Sequence, residues 1–340
     1  MSAFFDLPMT LPTIWGGIIA VAILAYVVLD GFDLGIGVIF PFFEGKQQRD
    51  EAMNSVAPVW DGNETWLVLG GGGLLAAFPL AYAIVMPALY PLVIAMLLGL
   101  VFRGVAFEFR FRADTSAFLW DWAFFLGSLV AAFTQGVMLG ALVQGIKISG
   151  RAYAGGWLDW LTPFSLLTGV ALVCGYALLG ATWLIYKTER GTQRLAFALA
   201  KPLAPLMLGL IAVVSLWTPF LNDDYWRLWF GYPGNLALAP LPLACGALGL
   251  WLIKLLDDDE REIAPFLTAQ ALFLLCYIGI GISFYPYIVP RSVTIAAAAA
   301  PDSSLSFLLA GAMFLIPIIL AYTGYAYYVF RGKVGTAGYH

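Results

Sequence analysis

From Thr65 to Phe102 the chain runs for 38 residues without a charged side chain. A helix needs about 20 apolar residues to cross a bilayer, so this run is long enough for two crossings. Pro79, Pro87 and Pro91 point to a tight turn between Phe78 and Ala83. Seven more charge-free runs follow the same measure: Leu7 to Leu29, Trp122 to Ile146, Trp160 to Tyr186, Pro202 to Asn222, Leu228 to Ile253, Ile263 to Pro290 and Ser303 to Phe330. Together they predict an all-α membrane protein of nine transmembrane helices. Only 11% of residues are charged, against about 25% in a soluble domain, and the mean hydropathy is +0.87. The loops are short, so residues 1–340 read as one polytopic membrane domain, with the motifs on the first helices (12–112) and the remaining helices at 118–331.

Lysine and arginine set the expected orientation. With the N-terminus outside, thirteen basic residues fall on the inner side: Lys46, Arg49, Arg103, Arg110, Arg112, Lys187, Arg190, Arg194, Lys201, Lys254, Arg261, Arg331 and Lys333. Four fall outside, Lys147, Arg151, Arg227 and Arg291. The asymmetry favours nine spans with the C-terminus inside, and eight spans would scramble it. No basic region precedes the first apolar run and no small-residue cleavage site follows it, so it reads as a retained helix and not a signal peptide. The net charge of −4 is thinly spread and offers no basic patch to nucleic acid. Cys174, Cys245 and Cys276 sit in apolar runs without metal-ligand spacing, and the single histidine is His340. A chain so composed is poorly equipped to ligate haem or another metal in its own core.

Four acids gather at one boundary of the first two spans: Asp30, Asp33, Asp61 and Glu64. Asp30 and Asp33 are three apart and share a helix face. They either mark the helix end in water or lie within the protein, and the apolar stretch Leu34 to Phe43 favours a helix continuing toward Phe40. Acids at membrane depth are costly and point to function, here a protonatable relay. Asp61, with Glu64 three residues on, resembles a capping box, so a cap and a proton relay both fit it. Trp60 and Trp66 flank this turn and either belong to an interfacial aromatic belt or pack on Gly62, a partner or a quinone ring. Gly70 to Gly73 lack the Lys-Ser/Thr of a phosphate loop and fit close helix approach. Arg103 and Glu108 close the third span; they pair locally or with the acids, or Arg103 snorkels at the helix end.

Three stretches carry a resemblance: Gly31-Phe32-Asp33-Leu34-Gly35, Trp60-Asp61-Gly62-Asn63, and Phe102 to Arg110, Phe-Arg-Gly-Val-Ala-Phe-Glu-Phe-Arg. Together they resemble subunit II of the cytochrome bd-type quinol oxidases, at the level of motifs over about residues 20 to 112 and of topology beyond. The resemblance implies a bacterial inner-membrane complex that oxidises quinol and reduces dioxygen to water. In that family haems b and d belong to subunit I, the partner in the heterodimer, and a small single-helix subunit is a possible third member. Subunit II supports subunit I and contributes carboxylates to a cytoplasmic proton path, which maps here onto Asp33 and Asp61, with Glu64, Asp30 and Glu108 as neighbours. A structural quinone or lipid wedged among the helices is also compatible with the resemblance. Many relatives carry an amide where Glu64 stands, and the wording from Val59 to Trp66 is closer to the cyanide-insensitive branch. A proton-coupled secondary transporter is the alternative; it predicts an internal repeat with broken helices, and the second half repeats neither motif. A purely structural anchor for a haem subunit is the third reading.

Overall fold

The computed structural model describes residues 10–113 and 115–334; His340 and the start of the Leu7 run lie outside them. Helix α1 (Leu11–Ile39) is capped by Thr10, whose hydroxyl accepts from the Thr13 amide, and runs unbroken through both acids into a 3-10 turn at Phe40–Phe42. The expected continuation past Asp33 is therefore present. A short polar helix, α2 (Gly45–Asn54), leads to α3 (Trp60–Ala77) and α4 (Pro79–Arg110). One residue, Phe78, separates α3 from α4, and Pro79 opens the new helix where its missing N–H costs nothing. The turn lies at the start of the predicted stretch. Pro87 and Pro91 stay inside α4.

The chain continues through α5 (Ala117–Gln144), α6 (Pro163–Lys187), α7 (Arg190–Trp217), α8 (Asp223–Phe230), α9 (Gly234–Leu238), α10 (Pro240–Leu255), α11 (Ala264–Phe284), α12 (Ile295–Ala298) and α13 (Asp302–Val329). Two small antiparallel hairpins interrupt it, β1 (Ile148–Ser149) with β2 (Ala152–Tyr153), and β3 (Tyr287–Val289) with β4 (Val293–Thr294). Among the described residues, eight helical stretches are long and apolar enough to cross a membrane. The one expected span outside that set is α3, which has 18 residues and places Asp61, Asn63 and Glu64 in its first turns.

Helix α1 is the hub and packs on α3, α5 and α6. Glycine makes this possible. A Cβ on Gly35 would collide with the Tyr176 carbonyl, and one on Gly180 would fall on the backbone of Gly35 and Ile36, so α1 and α6 meet backbone to backbone. Phe32 then stacks on Trp183 with ring centres 4.3 Å apart. Gly70 and Gly73 face Ile23 and Ile19 of α1, while Gly71 and Gly72 face open space, so the glycine run serves close approach along one face. Helix α13 is peripheral, with Leu305 its one buried residue.

At the end of the bundle that carries Asp30 and Asp33, the link between α10 and α11 ties down the segment after α13. Glu262 meets Lys333 at 2.6 Å and accepts from Gln193 at 2.6 Å. Burial pushes the Glu262 carboxyl up, but the Lys333 and Gln193 hydrogen bonds and the Lys333 charge pull it further down, below its usual value. A depressed folded-state value means the contact stabilises above the ordinary carboxyl range, about pH 4.3, and is lost as pH falls through the folded value. Hydrogen-exchange protection at residues 331–334, measured against the intrinsic rate at each pH, should therefore fall as pH drops below about 4, and Glu262→Gln should flatten that dependence.

Candidate functional site

Arg103 of α4 lies seven residues before its helix end, about 10 Å inside at 1.5 Å per residue, and its side chain is fully buried. Its guanidinium gathers acids from two other helices. Nη1 donates to Glu64 of α3, and Nη2 donates to Asp30 of α1 at 3.2 Å and lies 3.8 Å from Asp33. The planar fork suits this division between carboxylates, and a single ammonium would not. The rings of Trp60 and Phe107, stacked with centres 4.8 Å apart, stand 5.9 and 5.7 Å from the guanidinium carbon. Trp60 also covers Gly104, where a Cβ would come within 3.3 Å of the indole. The Trp60 side chain thus packs on α4, whereas Gly62 has nothing within 4 Å.

Asn63 joins the cluster from the side. Its Nδ2 donates to Asp33 at 2.7 Å and to the Leu29 carbonyl at 3.1 Å, and its Oδ1 accepts from Tyr327 at 3.0 Å. On these helices Asp30 Oδ2 and Asp33 Oδ1 accept no hydrogen bond from a protein group. One helical turn before Asp30, Tyr26 accepts from Gln135 at 2.8 Å, and Gln135 accepts from Tyr176 at 3.3 Å.

Two expectations need correction. The cap of α3 is Val59 without a side-chain hydrogen bond, so Asp61 sits inside the first turn, exposed, and forms no capping box. Glu108 does not meet Arg103; it points outward with a long contact to Arg112 at 3.5 Å, both exposed. Of the alternatives for Arg103, pairing with the acids is the one present, since three buried or half-buried carboxylates hold it away from the helix end. A second ionic knot went unseen in the sequence: Arg110 binds Asp50 at 2.6 Å and Asp121 at 2.5 Å, and Arg49 binds Asp121 at 2.8 Å. It clasps α2, α4 and α5 at the same end of the bundle.

A family model described as cytochrome bd terminal oxidase subunit II matches residues 11–330. The chain belongs to that family. It is 30% identical to cytochrome bd-I ubiquinol oxidase subunit 2 of Escherichia coli K12, over 94% of each chain. It is 29% identical to cytochrome bd ubiquinol oxidase subunit 2 of Bacillus subtilis, over 96% of this chain and 97% of that one. Among solved structures, a chain of the bd oxidase from Geobacillus thermodenitrificans matches with a TM-score of 0.77, covering 96% of this chain and 100% of that chain at 18% identity, which shows a shared fold. This subunit II is a multi-pass protein of the bacterial inner membrane. Its described residues include no histidine and no group of three or more His, Cys, Asp or Glu placed to hold a metal ion.

Proposed function

We propose that this chain, as subunit II of a bd-type quinol oxidase, leads protons from the inner face into the membrane domain through a line of acids, beside a haem-bearing subunit I. One observation carries the reading, the graded burial along that line. Asp61 is exposed, the Glu64 side chain is 22% exposed, and Asp30 and Asp33 are at 0%. Three carboxylates share a single guanidinium. If all were ionised, two negative charges would stand uncompensated in a dry site, and a bound proton relieves that cost. The carboxylate oxygens on Asp30 and Asp33 that accept no protein hydrogen bond are where such a proton would sit. Glu108, remote from the cluster, drops out of the path.

The relatives' names, ubiquinol oxidase subunit 2, support quinol and dioxygen as substrates of the complex. The basic residues on short loops support nine crossings, N-terminus outside and C-terminus inside, with the 18-residue α3 as one of them and the whole chain forming one membrane unit.

The test is quinol oxidase turnover of the purified complex at matched haem content. Asp33→Asn and Glu64→Gln should each lower turnover about tenfold or more, as expected when a positioned proton carrier is removed. Asp61→Asn should cost less, because water reaches Glu64 without it. Full turnover in all three variants would leave only the anchoring role.

A further inference from the structure

At the end of the bundle nearest Asp33, the tips of α6 and α13 and the turn before α3 line an open pocket of about 520 Å³. Its walls include Trp183, Tyr186 and Tyr327, and its rim carries Lys187, Arg331 and Lys333. Lys187 is buried at 4% exposure, and no carboxylate of the described residues lies within 4 Å of it. Its ammonium instead donates to the carbonyls of Phe330 and Gly332 at 2.5 and 2.6 Å, leaving one of three N–H groups. Lys333 is paired with Glu262, and Arg331 rests on the Tyr328 ring at 4.1 Å. Three cations therefore meet one acid around a cavity with aromatic walls. A buried cation without a counter-charge is costly, and an anion in the pocket would remove that cost.

We infer that this pocket binds the phosphate of an anionic phospholipid. Such a ligand fits both halves of the site. The headgroup phosphate meets Lys187 and Arg331, and the acyl chains have the apolar surface of α13 below, where Tyr325 and Val329 are exposed. Basic pockets between helix ends at the inner leaflet recognise anionic headgroups in this way. The inner wall is Tyr327, which donates to Asn63, so the site borders the buried cluster through one hydrogen bond. The assignment stands whether or not the acids conduct protons.

Native mass spectrometry of the intact complex tests it, with titrations of phosphatidylglycerol, phosphatidylcholine and inorganic phosphate. The expected result is one phosphatidylglycerol retained ahead of all others and ahead of phosphatidylcholine. Arg331→Gln should weaken that tightest copy about fivefold, the effect of one basic residue near an anionic surface. Lys187→Gln should weaken it at least as much. If Lys187→Gln fails to assemble, the exposed Arg331→Gln decides alone. Equal retention of phosphatidylcholine, unchanged retention in Arg331→Gln, or displacement of the lipid by inorganic phosphate at equal concentration would each overturn the lipid assignment.

Discussion

Arg103→Met should be the most damaging single substitution in this chain. It leaves Asp30, Asp33 and Glu64 facing one another without their shared cation. Removing one partner of a buried ion pair typically costs about 3–5 kcal/mol, a large part of the roughly 5–15 kcal/mol that holds a domain folded. The variant complex should therefore be scarce in membranes and melt far below the parent. The cause can be separated from simple loss of bulk. Adding Asp30→Asn and Asp33→Asn to Arg103→Met neutralises two of the stranded acids and should restore part of the yield. Arg103→Lys should remain defective despite keeping the charge, because one ammonium cannot reach both the Glu64 branch and the Asp30 branch of the fork. Normal yield and melting of Arg103→Met would show that the acids hold protons in place of the guanidinium, and the charge argument would fail.

The all-helical pattern, with eight helices long and apolar enough to cross a membrane among the described residues, was legible because hydropathy reports it directly. The run from Thr65 to Phe102 splits at Phe78, and the apolar stretch after Asp33 continues α1, as the residues implied. The four acids were also legible as a group. Their partner was legible only as one alternative, since Arg103 could pair with the acids or snorkel, and the structure takes the first. Arg103 stands 39 residues from Glu64 and 73 from Asp30, and an arginine near the end of an apolar run reads as a snorkelling residue until a neighbouring helix is known to bring carboxylates to it. The Arg110 knot was hidden for the same reason, as was Tyr327, whose hydroxyl meets Asn63 across 264 residues. Asp61 misled in the other direction. Its spacing to Glu64 fits a capping box, but the helix begins two residues earlier at Val59 and Trp60, where the Trp60 ring is drawn onto Phe107 and Gly104. Packing across helices thus moved the cap.

The same packing sets how Gly35→Ala should behave. Its new methyl group would press on the Tyr176 carbonyl, a backbone atom that no rotamer change can move, so α1 and α6 must separate. Overpacking usually costs about 1–3 kcal/mol, and a clash with backbone belongs at the upper end. Asp33 lies two residues from Gly35, and Tyr176 is itself part of the Tyr26–Gln135 chain, so the separation should also pull the carboxylates away from Arg103. Both melting temperature and turnover should fall, the latter even at temperatures where the complex stays assembled. Gly180→Ala, which presses on the same crossing from the other side, should reproduce both losses. Gly62→Ala is the control: it lies beside Asp61 within α3 but meets nothing within 4 Å, and alanine there should be neutral or slightly stabilising, since alanine is the better helix former by about 1 kcal/mol. If Gly35→Ala melts lower yet turns over normally, the close crossing serves stability alone and the carboxylates tolerate a looser hold. Loss of turnover tracking the loss of the crossing would tie the glycine motif to the charge cluster it positions.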